Sequence, residues 1–119
     1  MFVDSEAVMF EKNLMIGVLL GHYGKLLSER KLEACEMYFY EDLSLSEIAE
    51  QLGISRQGVR DLIVKAQEEL IHYEECLGLA RFRDNASQHL TRLEGMIKES
   101  SPTDEFIKEF EELCELIRA

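Results

Sequence analysis

The chain has 119 residues, 46% hydrophobic and 31% charged, with a formal net charge of −11. That length makes one domain, or one core with an appendage, and a single proline, no tryptophan and many helix formers predict an all-α protein. The acidic balance excludes a surface built wholly as a basic field for nucleic acid.

A first helix is expected over about residues 5–22, capped by Asp4 or Ser5, with Glu6 in its first turn. Its apolar positions Val8, Met9, Leu14, Met15, Val18, Leu19 and Leu20 wrap more than one stripe. Such a helix is either central or shared with another subunit. Gly21 and Gly24 loosen its end. Ser28 caps a second helix to about Tyr40, with Leu32, Cys35 and Phe39 inward. Tyr38, Phe39 and Tyr40 offer rings on which bases could stack. The competing and preferred reading is that at least two of them brace the helices that follow.

The centre of the chain is Leu45 to Leu70. Asp42 and Ser44 turn the chain into a short helix with Ile48, Ala49 and Leu52 on one face. Gly53 stops it with a positive φ, and Ile54 tucks under the turn. Ser55 caps a second helix whose stripe is Val59, Leu62, Ile63, Ala66 and Leu70. Ala49 marks the crossing, where only a methyl fits. This is a helix-turn-helix. At about 100° per residue, Arg56, Gln57, Arg60 and Val64 lie well away from the stripe. Arg reaches guanine and Gln adenine through paired hydrogen bonds, so Arg56, Gln57 and Arg60 are the candidate base readers. Ser46, Ser55 and Lys65 are candidate phosphate contacts. Gly58 is an awkward choice in a helix, about 1 kcal/mol worse than Ala. Asp61 would repel a duplex.

The reading helix continues through Tyr73 and Leu77 and ends at Gly78. A further helix, about 79–98, carries Leu79, Phe82, Ala86, Leu90, Leu93 and Ile97 at spacings of three and four. Residues 99–103 break it, with Ser101 expected as cap and Pro102 in the first position of a last helix. There Phe106, Phe110, Leu113, Cys114 and Ile117 oppose an acidic face. The organisation expected is a helix-turn-helix domain over 1–77 and a C-terminal helical pair over 78–119. That pair serves as a homodimer interface, as a docking surface for a protein, or only as internal packing.

The tract Leu45–Leu70 resembles region 4 of the sigma-70-type factors, through its Ser55-Arg56 and Val59-Arg60 run. Over about residues 12–77 the chain resembles the YlxM family of small bacterial proteins. Gly21-His22-Tyr23-Gly24-Lys25-Leu26-Leu27, Glu36 through Glu50 and Ile54-Ser55-Arg56-Gln57 carry that likeness. The resemblance implies a sigma-70 region 4-like helical fold. It also implies a link, through gene neighbourhood, to the signal recognition particle GTPase and its receptor. Arg56, Gln57 and Arg60 fall where region 4 contacts bases.

Charge by segment weighs against an open basic surface: four basic and eight acidic residues over 1–45, three and five over 46–73, six and eleven over 74–119. Two functions follow. One is a regulator that binds double-stranded DNA. The alternative is an acidic adaptor that holds the targeting GTPase or its receptor and binds no DNA. No enzyme is expected, for want of a nucleophile–base pairing, a phosphate-cradling glycine loop or paired carboxylates in an apolar setting. No cofactor is expected either.

Cys35, Cys76 and Cys114 form no C-x-x-C and suit buried, reduced thiols. His72 and Cys76 share a helix face, but two more ligands are wanting for a metal. Glu69-x-x-His72 is a single copy of a spacing that di-metal bundles use in pairs. The longest apolar run, Leu14 to Leu20, is seven residues against the roughly 20 a span needs. Asp4, Glu6 and Glu11 stand where a signal peptide would carry Lys or Arg, so a cytoplasmic protein is expected.

Overall fold

Helix α1 (Asn13–Tyr23) opens the part of the chain that the structure, a computed structural model, describes, residues 13–119. A 3₁₀ turn (Gly24–Leu26) leads to α2 (Glu29–Cys35), which runs on as a π-helical turn (Glu36–Tyr40). Next come α3 (Leu45–Leu52), α4 (Arg56–Leu77), α5 (Leu79–Lys98) and α6 (Asp104–Arg118). The described residues include no strand and no helix long and apolar enough to cross a membrane. The chain divides into two units between Gly78 and Leu79.

In the first unit α4 is the centrepiece, and α1, α2 and α3 all pack on it. It buries Val59, Ile63, Ala66, Gln67 and Leu70, the spacing of a single helical stripe. Val59 and Ile63 meet Ile48 and Ala49 of α3 and Ala34 of α2 in one apolar cluster. Each large side chain so buried stabilises the fold by about 1.5–3 kcal/mol. Tyr38 and Phe39 pack against this cluster and meet edge to face, centroids 4.9 Å apart, which bears out their bracing role. Tyr40 instead donates its hydroxyl hydrogen bond to the Gly17 carbonyl of α1 at 3.1 Å.

Polar ties hold the outer helices. The buried Tyr23 donates to Glu74 Oε1 at 2.6 Å, and Lys31 Nζ lies 3.1 Å from Glu69 Oε1. Gly24 serves packing rather than loosening. A Cβ there would stand 3.1 Å from Leu32 Cδ1 and 3.3 Å from Leu20 Cδ1. Any side chain there would push the Leu32 and Leu20 methyls aside by a few tenths of an ångström.

Several expectations change. In α1 the buried residues are Ile16, Leu19, Leu20 and Tyr23, a single stripe at i, i+3, i+4 and i+7. Leu14 is 88% exposed, and Met15 and Val18 face solvent too. The expected start and caps of this helix, with Val8 and Met9, lie outside the described residues. Helix α2 ends at Cys35, because the next five residues widen into the π turn. Of the three cysteines only Cys35 is buried. Cys76 is exposed and Cys114 half-buried.

The second unit is a two-helix hairpin. Arg83, near the start of α5, donates to the backbone carbonyl of Arg118 at the end of α6, so the helices run antiparallel. Arg118 closes one flank through an ion pair with Glu94 and a 3.2 Å hydrogen bond to Thr91 Oγ1. Helix α6 starts two residues later than the sequence reading placed it. The cap is Thr103, whose Oγ1 accepts from the Phe106 N–H at 3.2 Å, so Ser101 does not cap and Pro102 precedes the helix.

Candidate nucleic-acid interface

Two N-caps and one glycine hold the helix-turn-helix in shape. Ser44 Oγ accepts from the Glu47 N–H at 3.1 Å while the Glu47 carboxylate accepts from the Ser44 N–H at 3.1 Å. This reciprocal box closes the N-terminus of α3. The Ser44 backbone N–H, and after it the Ser44 hydroxyl, hold the Glu47 carboxyl below its ordinary range. Asp42, just upstream, takes a φ of 60°, the left-handed turn that brings the chain into that cap. At the other end Gly53 has φ 69°, and the Ile54 N–H returns to the Ala49 carbonyl at 3.1 Å.

Ser55 then caps α4, its Oγ accepting from the Gly58 N–H at 2.9 Å. Gly58 lies close under that cap. A Cβ on residue 58 would stand 3.2 Å from Ser55 Oγ and 3.5 Å from Ile54 Cδ1. Gly58 therefore leaves room for the cap and for Ile54 beneath it, against the propensity of about 1 kcal/mol it forgoes.

Arg56 and Gln57 are exposed in the first turn of α4, and Arg60 is half-buried one turn on. The Gln57 side-chain amide donates to Asp61 Oδ1 at 3.0 Å. Its second N–H and its carbonyl stay available, so Asp61 aims the amide while adding a negative charge beside it. Ser46 lies exposed in the first turn of α3, and Ser55 is exposed at the cap itself. Lys65 lies apart from these residues. It lines a groove of about 450 Å³ with Lys31, Glu68, Glu69, His72 and Tyr73. Val64, grouped by the sequence with the outward residues, is half-buried and packs on the apolar cluster.

Over residues 45–65 three basic and three acidic side chains balance, so the motif is neutral within a chain of net charge −11. The N-terminus of α4 adds the partial positive charge of its backbone N–H groups, which favours an anion there. One basic neighbour was not legible in the sequence. Arg30 of α2 donates to the Leu52 carbonyl at 3.3 Å, placing a guanidinium on the C-terminal end of α3. Nothing in the spacing of residues 30 and 52 signals that contact. His72 Nε2 and Cys76 Sγ lie 3.7 Å apart, and among the described residues no group of three or more potential ligands surrounds a metal position.

Comparisons with known proteins agree with this geometry. The family model of UPF0122, described as "Putative helix-turn-helix protein, YlxM / p13 like", matches residues 10–113. A UPF0122 protein of Desulforamulus reducens is 44% identical over 78 residues, 66% of this chain and 67% of its own length. One from Clostridium perfringens is 37% identical over 111 residues, covering 92% of this chain and 99% of the relative. One from Thermoanaerobacter is 36% identical over 104 residues, 85% and 89% of the two chains.

Proposed function

The chain belongs to the UPF0122 family of helix-turn-helix proteins, and we propose that it is a non-catalytic regulator that binds double-stranded DNA through the N-terminal half of α4. The observation that carries this reading is the exposure of Arg56 and Gln57 on the first turn of a doubly capped helix-turn-helix. Arg56 and Arg60 suit guanine O6 and N7, and Gln57, held at a fixed angle by Asp61, suits an adenine edge. Ser46 and Ser55 contact phosphate beside them, and Lys65 does so from the flank.

A neutral motif in an acidic chain binds weakly. One module reaches micromolar affinity or weaker, because few phosphates are neutralised, and salt erodes it in proportion to that number. The test is fluorescence anisotropy of a labelled duplex at low salt with Arg56→Ala and Arg60→Ala combined. Binding is lost while helical circular dichroism is kept. A double variant that binds as well as the parent removes the assignment.

A second reading is supported by the net charge of −11. Here the protein acts in the cytoplasm as an acidic adaptor on the signal recognition particle GTPase or its receptor. Capture of either purified GTPase by this chain, undiminished in the Arg56/Arg60 double variant, is the outcome that favours the adaptor over the DNA reader.

A further inference from the structure

The α5–α6 hairpin leaves most of its large apolar side chains uncovered. Of its residues only Leu90 is buried. Phe82, Leu93 and Met96 of α5 and Phe106, Leu113 and Leu116 of α6 are between 43% and 80% exposed. At about 100° per residue the α5 trio spans an arc of about 60° and the α6 trio one of about 80°. Leu93, Met96 and Phe106 line one open groove of about 580 Å³. Isolated exposed leucines are ordinary, but two adjoining arcs on one hairpin form a patch of the kind that marks an interface.

The charges around those arcs say what covers them. Helix α5 carries Arg81, Arg83, Arg92 and Lys98 against Asp84 and Glu94, a net of +2. Helix α6 carries Lys108 and Arg118 against six carboxylates, a net of −4. The pattern is local as well as total. His89 falls inside the α5 arc and Arg92 borders it, while Glu109 falls inside the α6 arc and Glu105 and Glu112 border one edge of it. A partner must therefore present acid to α5 and base to α6 on one apolar surface. A second hairpin turned by a two-fold axis does both at once, because each α5 then faces the other copy's α6.

We propose that this chain forms a two-fold dimer in which α5 of each copy packs on α6 of the other, making a four-helix bundle. Knobs from the exposed arcs fill the bundle core, and the basic border of α5 lies along the acidic border of α6. This goes beyond the DNA reading and does not depend on it.

The full-length chain is examined by analytical ultracentrifugation over a range of concentrations. The parent reaches a mass near twice 13.8 kDa. Met96→Glu or Phe106→Glu weakens dimerisation about thirtyfold or more, the loss typical of a central anchor. A mixing experiment tests the pairing of helices without relying on those variants. One chain carries Arg92→Glu, and a second carries Glu109→Arg with Glu112→Arg. Each alone dimerises more weakly than the parent. Their mixture recovers a heterodimer, because acidic α5 then meets basic α6 and basic α5 meets acidic α6. A parent that stays monomeric at every concentration overturns the proposal and leaves the face to a different protein. So does a dimer indifferent to Met96→Glu and Phe106→Glu, or a mixture that fails to recover association.

Discussion

The Gln57 amide donates a 3.0 Å hydrogen bond to Asp61 one turn along α4, so one candidate reader is oriented by a residue that repels the ligand it would read. The two effects separate on substitution. Asp61→Asn keeps an acceptor for Gln57 and removes the charge. Duplex binding at low salt tightens by about threefold to tenfold, a modest electrostatic gain of about 1 kcal/mol. Asp61→Ala removes both, so it gains less and discriminates less between sequences. Anisotropy titrations against two duplexes of different sequence measure both effects. An Asp61→Asn variant no tighter than the parent would show that this carboxylate does not face the bound duplex.

The capping box at Ser44 makes α3 sensitive to acid. Folding holds the Glu47 carboxyl below its ordinary value of 4.5, through the Ser44 backbone N–H first and its hydroxyl second. Stability from the charged carboxylate is therefore complete above that ordinary value and lost as pH falls through the lowered folded value. Glu47→Gln keeps the reach of the side chain but not the charge. Urea midpoints of parent and Glu47→Gln differ at neutral pH and converge in acid. Ser44→Ala, which removes the cap, lowers stability by about 1 kcal/mol at neutral pH. Parallel pH profiles for parent and Glu47→Gln would show that the box contributes nothing through charge.

The three thiols separate by burial. Cys35 is fully buried between helices, and burial first, then the nearby Glu36 and Glu69 charges, push its thiol up to about 12. Thiolate is the reactive form, so Cys35 stays unmodified at neutral pH while the chain is folded. Timed alkylation of the native protein followed by peptide mass spectrometry labels the exposed Cys76 first. Cys35 is labelled only as denaturant unfolds the first unit. Labelling of Cys35 at the rate of Cys76 would contradict the packing of α2 on α4.

The amino-acid sequence by itself determined the parts of this protein that depend on neighbours within a turn or two. The stop at Gly53, the cap at Ser55, the stripe from Val59 to Leu70 and the end of α4 at Gly78 are all local matters. So is the exposure of Arg56 and Gln57, because helical rotation alone carries them off the stripe. Periodicity also gave each helix an apolar arc. It could not say which part of the arc a neighbour covers. That is why Leu14 and Val18 looked inward when Ile16 is the residue buried, and why Val64 looked outward.

The tertiary structure decided what rests on approach between distant segments. Gly24 makes room for Leu32, and Arg30 reaches Leu52 across the motif. The Gly24 and Arg30 contacts are fixed by distances of 3 to 4 Å between atoms of separate elements, and they appear only when the helices have docked.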